Sequence, residues 1–175
     1  MESSSRYPGD YLTLFEYLTE ARLQKLVLED AAVYATVSSL AQGGHWKKAL
    51  DILEGVMMTN DLTPDEETLM TLLGCCARAA PLAGPVNDDE DEALVRSLAL
   101  MEKVGVDNWT APLLNEVIGL TARTGDLEKA EQMIDNAMLN GNRIKFGTFN
   151  TVAAACMKFG DGDRASEILE MRDFL

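Results

Sequence analysis

Apolar residues recur every three or four positions along most of the chain, which is the pattern of amphipathic helices. No segment alternates apolar and polar residues for long enough to predict a strand. The pattern predicts helices over about 31–42 and 46–59, separated by Gly43-Gly44, and similar pairs follow. An amphipathic helix over about 10–28 precedes them. Its apolar stripe consists of Leu12, Phe15, Leu18 and Leu26.

The chain repeats itself at a spacing of 35 residues. Asn115 returns as Asn150, and Gly125 returns as Gly160. A fixed period of this length is typical of stacked repeat arrays. Ala130 likewise returns as Ala165, and an earlier copy of the glycine and alanine stands at Gly44 and Ala49. That copy lies 81 residues before its counterpart, so about 11 residues are inserted between them.

These marks predict an all-α, right-handed α-solenoid of about four helix-turn-helix repeats behind an N-terminal capping helix. The insertion is a Pro/Gly-punctuated acidic segment at 81–92. Thr63, Thr110, Asp126 and Thr148 are the predicted helix caps or starts. The predicted boundaries are 1–30 for the tail and capping helix, and about 31–65, 66–109, 110–145 and 146–175 for the repeats.

The third and fourth repeats resemble the pentatricopeptide repeat, a 35-residue unit marked by aromatic-Asn-Thr, a turn glycine and an alanine five residues later. These residues are Phe149-Asn150-Thr151, Gly160 and Ala165 in the fourth repeat. The tetratricopeptide repeat is the second choice, because neither tryptophan stands at the place that motif requires. This resemblance implies binding of RNA, with one base per repeat read by two side chains. The positions so implied are Tyr34 with Asp65, Met70 with Thr110, Asn115 with Lys145, and Asn150 alone.

The charge of the chain and the chemistry of these side chains disfavour binding of RNA. The net charge is −14, from 29 acidic and 15 basic residues, and phosphate binding needs clustered cations. Tyr34 is bulky, Met70 lacks a strong hydrogen-bonding group, and Lys145 can only donate. On these grounds RNA is the disfavoured partner, and other protein subunits of a complex are the expected partners.

Two further segments are candidate docking surfaces. One is the acidic loop formed by Asp88, Asp89, Glu90, Asp91 and Glu92, which suits a basic partner although a solvated insertion is the default. The other is the C-terminus at Phe174 and Leu175, where apolar surface of the last repeat is expected to face a partner.

No residue pattern points to catalysis. His45 is the single histidine and follows two glycines, and Cys75, Cys76 and Cys156 form no metal-binding pair. We expect no catalytic residue, no metal, no cofactor and no small-molecule substrate. No apolar run approaches the ~18 residues of a membrane helix.

The leading hypothesis is a non-catalytic scaffold that mediates protein–protein interaction within a larger assembly. The alternatives are an RNA-binding pentatricopeptide protein in organellar RNA processing or translation, and a tetratricopeptide-like peptide-binding module. The family resemblance implies a mitochondrial or plastid location, whether soluble or peripheral to a membrane.

Overall fold

The computed structural model describes residues 10–23, 30–60, 62–83 and 88–174. Helices make up nearly all of this part of the chain, and it contains no strand, which confirms the all-α prediction. A short 3-10 turn, Val106–Asn108, lies between the fifth and sixth helices. The helices are α1 (Asp10–Leu23), α2 (Asp30–Gln42), α3 (Trp46–Asn60), α4 (Glu66–Ala79), α5 (Asp88–Val104), α6 (Ala111–Arg123), α7 (Leu127–Leu139), α8 (Phe146–Lys158) and α9 (Gly162–Asp173).

The chain divides into two compact units, Met1–Cys75 and Cys76–Leu175, so the boundary falls inside α4. In the first unit α1, α2 and α3 pack against one another. Leu18 on α1 is buried, as the predicted apolar stripe requires. The contact of α1 with both following helices agrees with a capping role. The stretch 24–28 of that predicted helix, with Leu26, lies outside the described residues, as do the side chains of Leu12 and Phe15.

The start of α4 corrects one predicted cap. Thr63 was expected to cap this helix, but α4 begins at Glu66 and Asp65 caps it. The Asp65 carboxylate accepts a hydrogen bond from the Thr68 backbone N–H at 2.7 Å. An aspartate beside the helix start is as good a cap as a threonine, and it also carries a negative charge toward the positive end of the helix dipole.

The second unit is built around α6, which contacts α5, α7 and α8, while α8 also packs against α9. Its core is apolar and tightly closed, with Ile118, Ile134 and Phe149 fully buried. Ala130 and Ala165 are buried between paired helices. Their small side chains let the two helices of a repeat approach closely, as the sequence marks predict.

The 35-residue echo becomes two matching helical hairpins. Gly125 and Gly160 have φ values of 88° and 83°, a conformation that favours glycine. The residue after each glycine caps the next helix: Asp126 accepts from the Lys129 N–H and Asp161 from the Arg164 N–H. The caps predicted at Thr110 and Asp126 are confirmed. The predicted start at Thr148 is wrong, because α8 already begins at Phe146.

The acidic run is helical rather than a loop. Residues 88–92 form the first turns of α5, where negative side chains interact favourably with the helix dipole. The Glu92 carboxylate also lies 3.6 Å from Arg96, one turn further along α5. The side chains of Asp88, Asp89 and Glu90, and residues 84–87, lie outside the described part.

Crossing a bilayer requires a length and hydrophobicity that no helix in the described ranges possesses.

Candidate functional site

A groove runs between α6 and α8, the first helices of the third and fourth repeats. Its volume is about 270 Å³. Ala77, at the end of α4, adds to one wall. Three charged side chains line the groove, Glu116, Arg123 and Lys145. The remaining lining residues are Asn115, Gly119, Leu120, Gly147, Thr148 and Thr151.

Asn115 forms the floor of this groove as a buried hydrogen-bonded link. Its side-chain Nδ2 donates to the carbonyls of Ala111 at 2.8 Å and Arg143 at 3.2 Å. Its Oδ1 accepts from the Lys145 backbone N–H at 2.9 Å and from the Thr148 hydroxyl at 2.7 Å. An amide side chain has two donors and one two-fold acceptor, so all of its capacity is used. Asn115 thus joins α6 to the start of α8, and a base-reading role for it stays a prediction.

Asn150 occupies the equivalent place on α8 but has different surroundings. Its side chain is exposed, and its Oδ1 accepts from the Arg172 guanidinium at 2.7 Å. Arg172 in turn lies 2.7 Å from the Asp173 carboxylate. The same residue type at the same position of two repeats is therefore a buried link in one and a surface group in the other.

Four cations lie on or beside the first helices of these two repeats. Arg143 and Lys145 are exposed and stand together in the loop before α8. Arg123 donates to the Ala80 carbonyl at 2.7 Å, and Lys158 donates to the Pro81 carbonyl at 3.1 Å. Burial lowers the pKa of the Arg123 guanidinium, and the nearby Glu116 carboxylate opposes that change.

The acidic residues of this unit concentrate on the other helices. α6 carries one acid and one base, and α8 carries Lys158 with no acid at all. α7 carries three acids and only Lys129, while α9 carries four acids and two arginines. The first five residues of α5 are all acidic. The strongly negative net charge of the chain therefore does not describe the α6–α8 surface.

Three of the other sequence-predicted positions make hydrogen bonds within the fold. In the first unit, Tyr34 donates its hydroxyl to the Thr63 carbonyl at 2.8 Å. Burial raises the pKa of Tyr34, and the charges of Asp30 and Asp65 add to this effect. Asp65 caps α4, and the half-buried Met70 lies on the same helix. In the second unit, the exposed Thr110 caps α6.

Of the two predicted C-terminal docking residues, the structure describes one. Phe174, which follows α9, is 89% exposed. Leu175 lies outside the described residues. No contact of Phe174 indicates what covers it, so its docking role stays a prediction.

Sequence reasoning missed two of the charged residues that line the groove, Glu116 and Arg123. They are seven positions apart on α6, with Gly119 between them, and this spacing places all three on one face of a helix. That face could have been read from the sequence. Its partner, the start of α8, could not, because the groove exists only where the two helices meet.

The described residues do not assemble a metal-binding group of three or more His, Cys, Asp or Glu side chains. The three cysteines are buried thiols outside any disulfide. Burial raises the pKa of Cys156, and the charge of Asp161 adds to this. All three side chains lie in the apolar core.

Comparison with known families decides what kind of repeat this is. The family model of the PPR repeat, the pentatricopeptide repeat, matches residues 147–171, which cover nearly all of α8 and α9. The fourth repeat of the chain therefore matches a pentatricopeptide repeat. This confirms the resemblance read from the sequence, and the single match agrees with the irregularity of the earlier repeats.

The fold is also found among solved structures. The chain is similar to the crystal structure of THA8 in complex with Zm4 RNA, with a TM-score of 0.55 and 18% sequence identity. The likeness covers 98% of this chain and 96% of THA8, so it extends over the whole array and supports the helical-repeat solenoid. A search of curated proteins gave no match. The expectation that RNA is a disfavoured partner is wrong, because this neighbour was solved bound to RNA.

Proposed function

We propose that this pentatricopeptide-repeat protein binds single-stranded RNA, with the groove between α6 and α8 as its contact surface in the second unit. The observation that carries the proposal is the full-length likeness to a repeat protein in complex with RNA. Helical repeats of this kind present one repeat per base to an extended strand. The interpretation as a protein-interaction scaffold receives no such support. The RNA-binding alternative named in the sequence analysis is therefore the better supported one.

Local electrostatics support this proposal. Lys145 and Arg123 line the groove, and the exposed Arg143 lies two residues before Lys145 in the loop that precedes α8. A phosphate responds mainly to charges within about a Debye length, roughly 8 Å at physiological salt. The acids on α7 and α9 lie on the second helices of their repeats. A whole-chain charge of −14 is therefore a poor guide to the potential at this surface.

The test is a binding measurement on two double variants that change the net charge equally. Arg143→Gln with Lys145→Gln removes the cations beside the groove. Lys103→Gln with Lys129→Gln removes two exposed lysines from α5 and α7. With a fluorescent unstructured RNA at low salt, we expect the first pair to weaken binding roughly tenfold and the second less than about twofold.

Both variants should retain the helical circular dichroism of the parent, because all four side chains are exposed. Equal losses in both pairs would mean that RNA responds only to net charge, and the groove would lose its role. Absence of binding by the parent protein at low salt would refute the function itself. A mitochondrial or plastid location stays a prediction from the family, to be tested with a fluorescent fusion.

A further inference from the structure

The polar groups of the groove divide into those already used inside the protein and those still available. The Asn115 side chain has no hydrogen-bonding capacity left, and the Thr148 hydroxyl already donates to the Asn115 oxygen. Thr151 donates to the Gly147 carbonyl at 3.0 Å. Arg123 holds the Ala80 carbonyl with one nitrogen and keeps other N–H groups. Of the two residues that the repeat pattern assigns to base reading here, Asn115 thus has its whole side chain committed within the fold.

Glu116 is the available acceptor. It follows Asn115 directly on α6, is half-buried and lines the groove. Within the described ranges, no side chain or backbone N–H donates to its carboxylate. Arg123 lies seven residues further along the same helix face and interacts with it electrostatically. A carboxylate in this position can accept two hydrogen bonds from a ligand and donate none.

The remaining charged groups suit the rest of a nucleotide. The Lys145 side chain makes no hydrogen bond to any described residue, and its backbone N–H is committed to Asn115. Lys145 and Arg123 are donors only, so they match phosphate oxygens. The groove therefore offers donors for a phosphate and one strong acceptor for a base edge, within about 270 Å³.

We infer that Glu116 selects a guanine at this groove, by accepting hydrogen bonds from the N1–H and the N2 amino group of the base. This inference rests on the proposed function. Guanine is the base whose Watson–Crick edge presents two adjacent donors to one carboxylate. Uracil presents two carbonyl oxygens flanking its single N–H, and these oxygens repel a carboxylate. Adenine and cytosine each offer one amino group beside an acceptor.

The experiment compares RNAs that differ at one nucleotide. The probes are a U tract of about eight nucleotides, the same tract with one central guanosine, and the same tract with inosine there. We expect the guanosine probe to bind roughly tenfold tighter than the U tract, as a good two-bond base contact allows. Inosine lacks the N2 amino group, so its probe should fall between the two.

The variant Glu116→Gln removes the charge with almost no change of shape. It should reduce the guanosine preference to less than about twofold while the U tract binds as well as before or better. Glu167→Gln, on the exposed face of α9, is the matched control and should keep the full preference. Circular dichroism of both variants checks that the fold is kept.

The outcomes separate this inference from the function on which it rests. If the parent binds all three probes equally, Glu116 does not select a base, and RNA binding stands. If the parent prefers guanosine and Glu116→Gln keeps that preference, another group reads the base. If no probe binds at low salt, the proposed function itself fails.

Discussion

At the scale of single residues, asparagine stands at the same position of the third and fourth repeats but has a different structural role in each. Asn115 is 4% exposed and makes four hydrogen bonds, three of which reach residues 28 to 33 positions away. Asn150 is exposed and bonds to a surface arginine. The difference follows from the neighbour. The loop before α8 supplies the Arg143 carbonyl and the Lys145 backbone N–H, and α8 supplies the Thr148 hydroxyl, which together complete the hydrogen bonds of Asn115.

Replacing each asparagine by alanine should therefore have unequal effects on stability. Asn115→Ala leaves the Thr148 hydroxyl and the Lys145 N–H without their acceptor, and each unsatisfied buried group costs about 1–3 kcal/mol. We expect a loss of about 2–4 kcal/mol. Asn150→Ala removes one exposed hydrogen bond and should cost less than about 1 kcal/mol. Urea denaturation of both variants beside the parent measures the difference.

Similar midpoints for the two asparagine variants would contradict the linking role of Asn115. The RNA measurement adds a second readout. If Asn115 acts only within the fold, any remaining folded Asn115→Ala protein should keep the base preference of the parent.

At the scale of helices and turns, the sequence was informative wherever the determinants are local. Periodicity predicted the helix pairs, and the aspartate that follows the turn glycine predicted the cap of α7. It failed at α4, where Thr63 and Asp65 are both good caps two residues apart and only the folded chain shows which one is used. It failed at α5, where an acidic run reads as loop by composition and yet suits a helix start.

The groove was less predictable than the helices. The sequence identified Asn115 and Lys145 as a pair, and the structure does place them in contact, but through the Lys145 backbone N–H. The availability of Glu116 depends on which groups α8 brings to α6. Such long-range pairings leave no mark in a local pattern of apolar and polar residues.

Two turn glycines allow the cost of a positive φ to be separated from the cost of a steric contact. Gly125 and Gly141 both have positive φ, 88° and 74°. A Cβ at Gly125 would lie 3.1 Å from the Phe159 ring, whereas nothing lies within 4 Å at Gly141. Gly141→Ala should cost about 1 kcal/mol for the backbone conformation alone. Gly125→Ala should cost about 2–3 kcal/mol, because the ring must also move.

Thermal and urea denaturation of the two alanine variants would measure this difference. The double change Gly125→Ala with Phe159→Leu supplies a control, since the smaller side chain should recover part of the packing cost. Equal losses at Gly125 and Gly141 would show that only the backbone conformation matters at these turns.

At the scale of the whole molecule, the meaning of net charge depends on where the charges lie. The −14 of the chain led to the expectation that RNA is disfavoured, and the comparison with THA8 overturned it. Within the second unit, the acids concentrate on α5, α7 and α9, while α8 and the loop before it carry only bases. The proposed function therefore requires RNA to bind at a localised surface of this acidic protein and to be repelled elsewhere.

Salt dependence tests this arrangement quantitatively. For a single strand, the logarithm of the binding constant falls with the logarithm of salt concentration by about 0.7 for each phosphate neutralised. The two cations that line the groove and the two that lie beside them on or next to α8 predict a slope between about −1.4 and −2.8. The Arg143→Gln, Lys145→Gln double variant should reduce its magnitude by about 1.4, whereas the Lys103→Gln, Lys129→Gln control should leave it unchanged. An unaltered slope in the first variant would place the phosphate contacts away from this groove, and a slope near zero would mean that binding does not depend on phosphates.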